Sequence, residues 1–219
     1  VAITPFAFFA VSAWKRPIEP NWPALAYAAS VVLLASSRAS WANARWWKSG
    51  IALAAVVIVA AVGQTWKPLA PIAPPRDPIA RAHGWASLAT AVDHARRDSF
   101  LNGTRTRWVA AERYQDASEL AFNLPDQPTV FSLNMSGRAN QYDLWQGAHE
   151  RLAPGDAMVV AFDATAVGDS LAGVVGSWFE GTQRGETVQL RRGNGVIGER
   201  RIWMYRSARS LPPRTEATP

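Results

Sequence analysis

The stretch Ser49 to Trp66, SGIALAAVVIVAAVGQTW, holds 18 residues without a charge, and a second uncharged run of equal length, Pro20 to Ser37 (PNWPALAYAASVVLLASS), precedes it. At ~1.5 Å rise per residue, a helix of this length nearly matches the ~30 Å hydrocarbon core of a bilayer. Both runs therefore read as membrane spans. Charged residues flank them, and about 150 residues of ordinary soluble composition follow.

The chain opens inside a further apolar stretch, Val1 to Trp14 (VAITPFAFFAVSAW). A secretory signal needs a positively charged start, and two more apolar segments would not normally follow its cleavage site. The expectation is about three membrane helices with short loops over residues 1–66, the first truncated, in a chain cut from something longer.

The net charge of +6 would point to nucleic acid if it covered a folded domain. It does not. Residues 1–70 carry +5, from Lys15, Arg16, Arg38, Arg45, Lys48 and Lys67 against Glu19, and the remainder carries +1. Cations at the ends of apolar helices lie at headgroup level, where they meet lipid phosphate. Membrane lipid is the expected partner and nucleic acid is not. The absence of cysteine excludes a disulfide framework and Cys-based zinc sites. His83, His94 and His149 have no ligand spacing, so neither a structural metal nor a cofactor is expected.

Trp14, Trp22 and Tyr27 suit an interfacial belt, and the linker Arg38 to Lys48 carries three cations and no acid. Positive-inside reasoning puts that linker in the cytoplasm. The Lys15 to Pro20 linker and the large domain then fall outside. After Trp66, residues 67–78 (KPLAPIAPPRDP) cannot continue a helix and read as a stiff proline-rich spacer.

Beyond the spacer, residues 79–210 read as one α/β domain, with 211–219 a disordered tail. Pro78 to Phe100 has helical periodicity; TRWVAA (strand), Tyr114 to Leu124 (helix), PTVFSLN (strand), Gln141 to Leu152 (helix), AMVVAF (strand) and Ser170 to Gln183 (helix) follow. This alternation predicts an α/β sandwich on a mostly parallel sheet of at least three strands. ETVQLRR and RRIWMYR, joined by GNGVIGE, predict a terminal β-hairpin on the sheet edge.

Several chemical-looking signals have plainer readings. Gly193, Gly195 and Gly198 match G-x-G-x-x-G, but that fingerprint needs a helix after it, and a strand follows here; positive φ in a hairpin turn explains the glycines. Ser136 and Ser170 fit no nucleophile motif and read as helix caps. The sequons at Asn102 and Asn134 are short enough to arise by chance.

Two segments concentrate binding chemistry. In KRPIEPNWPA, Lys15 and Arg16 can hold a phosphate at the membrane surface, with Glu19 and Asn21 as positioning groups; an anchored interfacial loop is the plain alternative. The second, NMSGRANQYDLW (Asn134 to Trp145), follows a strand, and loops at the carboxyl ends of parallel strands are where open α/β sheets bind ligands. Arg138, Asn140, Gln141, Tyr142 and Asp143 supply amides, a cation, a carboxylate and an aromatic face suited to a sugar or phosphate. Alternatively Asn140 caps a helix, Arg138 pairs with Asp143, and Trp145 packs in the core.

Taken in order, IEPNWPALAY, DPIARAHGW, RYQDASELAFNLP and NMSGRANQYDLW resemble bacterial family 39 glycosyltransferases, relatives of protein O-mannosyltransferases and of the lipid A aminoarabinose transferase. The resemblance runs from about Lys15 to about Arg206 and covers only the carboxyl-terminal part of such an enzyme. It implies a partial GT-C membrane bundle before the α/β sandwich. It also implies a polyprenyl-phosphate-linked sugar donor, an acceptor of unknown kind, and a multi-pass inner-membrane location with the carboxyl-terminal domain extracytoplasmic. The family's catalytic acidic residue lies near the amino terminus, so no catalytic residue is assigned here. The substrate-binding candidates are Lys15, Arg16, Glu19, Asn21, Arg138, Asn140, Gln141, Tyr142 and Asp143. The competing reading is a membrane-anchored, non-enzymatic extracytoplasmic α/β module that binds a ligand or partner. A nucleotide-binding enzyme on a tether would depend on the glycine motif already set aside.

Overall fold

The computed structural model describes residues 3–14, 26–28, 30–32, 45–67, 73, 79–135 and 139–209, and the chain divides into two units, Val1–Gly63 and Gln64–Pro219. Lys15, Arg16, Glu19, Asn21 and Arg138 lie outside the described residues, as do most of the spacer and the tail after residue 209.

In the first unit, α1 spans Ile3–Ala13 and α2 begins at Arg45 and runs to Trp66. Of the run Pro20 to Ser37, residues 26–28 and 30–32 are helical. Among the described residues one helix, Trp47–Trp66, is long and apolar enough to cross a membrane. Its apolar side chains are exposed around the whole circumference, with Leu53, Val56, Ile58 and Val59 each more than 60% accessible. A helix apolar on every side has no polar face to turn toward water.

The second unit is an α/β domain on a five-stranded sheet. β1 (Arg107–Ala111), β2 (Val130–Ser132), β3 (Ala157–Asp163), β4 (Phe179–Arg192) and β5 (Gly195–Ala208) lie in the order β2-β1-β3-β5-β4. β1 pairs in parallel with β2 (Val109 beside Val130) and with β3 (Val109 beside Val159). β5 runs antiparallel to both β3 and β4. The sheet is therefore mixed rather than mostly parallel, because the closing hairpin contributes two of its five strands. β3 is buried along all but its last residue, as its uninterrupted apolar run AMVVAF requires of a central strand covered on both faces.

Helices α3 (Trp85–Arg96) and α4 (Tyr114–Asn123) cover one face, where Leu88, Val92, Leu120 and Leu124 pack on Val109, Val159 and Ile202. Helices α5 (Ala148–Arg151) and α6 (Ala166–Gly176) are on the other, where Ala148, Ala172 and Val175 join a cluster with Met158, Val160, Phe162 and Tyr205. Burial of these apolar side chains, at about 25 cal/mol per Å2, is the main stabilising contribution.

Four sequence expectations shift. The helix expected over Pro78 to Phe100 is a 3-10 turn at Ala80–Ala82, then α3, then a second 3-10 turn at Ser99–Leu101, because Gly84 with φ +86° breaks the run before Trp85. The helix expected over Gln141 to Leu152 is two short pieces, a 3-10 turn at Gln141–Leu144 and α5, because each has its own start: Asn140 and Asp143 cap the first, and the Glu150 carboxylate accepts the Gly147 N–H at 2.6 Å. The helix expected from Ser170 begins at Ala166, capped by Thr165, whose hydroxyl accepts the Gly168 N–H at 3.1 Å; Ser170 is interior, and Phe179 to Gln183 already belong to β4. The hairpin turn is only Gly193-Asn194, with Arg192 paired to Gly195. Gly193 takes the positive φ there (+55°), while Gly195 and Gly198 lie in β5.

Candidate functional site

The chain leaves β1 through α4 on one face to reach β2, then returns through α5 on the other face to β3, so the winding reverses between β1 and β3. Open α/β sheets bind ligands outside the carboxyl ends of the strands at such a reversal. Here those ends carry Glu112 and Arg113 after β1, and Asp163 at the end of β3.

Arg200 of β5 reaches into this point. Its Nε donates to Asp116 Oδ2 at 2.6 Å, its Nη2 to Asp116 Oδ1 at 3.3 Å, and its Nη1 approaches Asp163 Oδ1 at 2.6 Å. Arg113 Nη2 donates to the same Asp163 oxygen at 3.0 Å and lies 3.8 Å from Asp116. The Glu112 carboxylate accepts the Asp163 backbone N–H at 3.1 Å. Burial pulls the Arg200 pKa down, but the hydrogen bond to Asp116 and the charges of Asp116, Asp163 and Glu112 outweigh it and leave the pKa raised. The guanidinium also lies over the Trp85 ring, 5.9 Å from its centroid.

Above this network opens a cleft of about 510 Å3. Arg81 and His83 line it from the turn that leads into α3, Trp85 from the first residue of α3, and Gln115, Asp116 and Glu119 from α4. Trp85 is fixed by its Nε1–H, which donates to the Arg81 carbonyl at 2.7 Å. His83 Nε2 is buried without a hydrogen-bond partner. Burial pushes the Glu119 pKa up, a hydrogen bond from Asn123 opposes it, and the charge of Asp116 adds to the rise. Gly84 lets the chain turn into α3 with φ +86°, and a Cβ there would stand 2.8 Å from Arg191 N and Leu190 Cα. The hairpin backbone thus rests directly on the entry to α3.

The Asn134 to Trp145 segment lies at the carboxyl end of β2. Asn134 Nδ2 donates to both Asp143 oxygens, at 3.1 and 3.0 Å, while Asp143 Oδ2 accepts the Asn140 N–H at 2.8 Å and Asn140 Oδ1 accepts the Tyr142 N–H at 2.9 Å. Asn140 therefore caps, as the plainer reading had it. Trp145 does not pack in the core: it is 57% exposed, edge-on to Tyr142 at 5.1 Å. Gln141 is exposed, whereas Tyr142 is half-buried against the face that carries α4. Burial raises the Tyr142 pKa, with the Ser118 hydroxyl of α4 acting in the opposite direction. A smaller cavity of about 220 Å3 lies between β2, Tyr142 and Trp145.

Of the candidates read from sequence, the structure brings Asn140, Tyr142 and Asp143 together and leaves Gln141 at the surface. Arg81, His83, Arg113, Asp116, Glu119 and Arg200 carry a polar cleft that residue-type reasoning did not single out. One signal was available: Arg113 and Asp116 open a helix directly after the first parallel strand. Among the described residues no group of three or more His, Asp or Glu is arranged to hold a metal ion. Comparison of the chain with protein-family models, with curated proteins and with solved structures gives no match.

Proposed function

We propose that this chain is the carboxyl-terminal part of an integral-membrane glycosyltransferase that moves a sugar from a polyprenyl-phosphate donor to an acceptor at the outer face of the membrane. The observation that carries the reading is convergence. DPIARAHGW and RYQDASELAFNLP, separate in sequence, line one cleft through Arg81, His83 and Trp85 and through Arg113, Gln115, Asp116 and Glu119. NMSGRANQYDLW meets the same helix α4 through Tyr142, beside Ser118. These three segments carry most of the family resemblance within the domain, and shared use of one helix is what a common recognition surface would require. The 20-residue apolar helix Trp47–Trp66, exposed on all sides, supplies the membrane element.

Transfer of this kind needs a base on the acceptor hydroxyl and cations for the departing phosphate. Lys15 and Arg16 are assigned the second task, with Glu19 and Asn21 positioning them. The test is transfer of radiolabelled sugar from a set of polyprenyl-phosphate hexoses by the full-length membrane protein in proteoliposomes. Incorporation into acceptor, with strong loss in the Lys15→Ala/Arg16→Ala variant, is expected. No transfer from any donor would overturn the enzyme reading, and unchanged turnover in the double variant would reject the role of the two cations.

The second reading is a membrane-anchored module that binds without catalysing. Asp116 and its neighbour Asp163 are both engaged by arginines, which suits a fixed binding surface and serves either reading, since the transferase reading takes its base from outside this domain. A module would bind ligand in the domain and show no turnover with any donor.

A further inference from the structure

The charges on the cleft floor are already neutralised, Arg200 and Arg113 against Asp116 and Asp163. The groups left to meet a ligand are different. Arg81 is exposed and lines the cleft, and its guanidinium has no acidic partner among the described residues. His83 also borders the cleft, but its Nε2 is buried away from solvent and is not among these groups. Glu119 commits one carboxylate oxygen, at 3.3 Å, to Asn123 and keeps the other. Gln115 is exposed at the start of α4, with its side-chain amide unpaired among the described residues.

Each class of ligand meets this set differently. An apolar ligand would strip water from Arg81, Gln115 and Glu119 without replacing their hydrogen bonds. A bare anion would satisfy Arg81 and leave Gln115 and Glu119 as before. A molecule with one anionic group and several hydroxyls satisfies all three, since hydroxyls both donate to a carboxylate and pair with an amide. The volume of about 510 Å3 suits a ligand of that size.

We infer that the cleft between α3, α4 and β5 is a binding site for a small polyhydroxylated anion, a sugar phosphate or sugar acid. Arg81 holds the anionic group, and Gln115 and Glu119 take the hydroxyls. The site does not depend on glycosyl transfer, because a non-catalytic module would use the same cleft.

The test is calorimetric titration of the full chain in detergent micelles. The probes are the 1-phosphates of glucose, galactose and mannose, and glucuronate, with free glucose and inorganic phosphate as separate arms. Saturable binding of at least one sugar phosphate or of glucuronate is expected, roughly tenfold or more tighter than glucose or phosphate alone. Arg81→Ala should weaken it by about tenfold and Gln115→Ala by severalfold, both with unchanged melting temperature. Binding of phosphate as tight as that of every sugar phosphate would reduce the cleft to an anion site and overturn the assignment. So would absence of saturable binding for the whole set at millimolar concentration, or an Arg81→Ala chain that binds like the parent. Transfer activity is read separately, so failure here leaves the glycosyltransferase proposal to its own test.

Discussion

Arg200 and Asp116 stand 84 positions apart in the chain and meet through two hydrogen bonds, Nε to Oδ2 at 2.6 Å and Nη2 to Oδ1 at 3.3 Å. The pair joins the last strand of the sheet to the first turn of α4, and both side chains are almost fully buried, at 10% and 3% exposure. It fixes the floor of the cleft.

Removing one member of a buried pair leaves an uncompensated charge, which costs about 3–5 kcal/mol. Arg200→Met and Asp116→Leu should each destabilise the domain by that order in urea unfolding followed by tryptophan fluorescence. The double variant should lose clearly less than the sum, because both single changes break the same interaction. Strict additivity would show that the two residues do not support each other.

Gly84 and Gly103 both have positive φ, +86° and +80°, but differ in surroundings: a Cβ at Gly84 would press on hairpin backbone at 2.8 Å, while one at Gly103 meets nothing within 4 Å. Gly103→Ala should therefore cost only the left-handed penalty, about 1–2 kcal/mol. Gly84→Ala should cost that and the displacement of the hairpin as well. Equal losses in thermal unfolding would remove the proposed contact between the α3 entry and the hairpin.

Arg96 forks onto Asp126, Nη1 to Oδ1 at 2.9 Å and Nη2 to Oδ2 at 2.8 Å, and the hydrogen bond holds the Asp126 pKa below the usual carboxylate range. A depressed pKa stabilises the fold fully above the unfolded value of about 3.9, and that contribution is lost as pH falls through the folded value. Asp126 is half exposed, 52% at its side chain, so solvent screens the pair and the effect on stability is small. The titration is the sharper readout: Arg96→Met should move the Asp126 midpoint, followed by carboxyl NMR, up toward the ordinary range. A midpoint that stays in place would assign the depression to another group.

Elements defined by local pattern were legible in the sequence. β3 follows from an unbroken apolar run, and the hairpin from two strand-like stretches around a glycine turn. β2 was read as seven residues and pairs over three, because it meets only Val109 to Ala111 of β1. The sequence reading starts α6 at Ser170, with that serine as its cap, whereas the cap is Thr165, set by a hydroxyl contact three residues ahead. The Asn134 to Trp145 loop was found because strand ends in α/β sheets attract binding groups. The cleft was not, since its floor depends on Arg200 arriving beside Asp116 and Asp163 from far along the chain, and no local spacing encodes that meeting.

The strand β5 occupies an inner place in the sheet, between β3 and β4, although it is the last of the five in sequence. During synthesis β3 therefore waits with one edge bare, and Asp116 and Asp163 wait without Arg200, until residues 195–208 emerge from the ribosome. The finished domain is reached only at that late moment. Shortening the polypeptide inside this strand would remove a central member and leave a partial sheet with an open, adhesive edge.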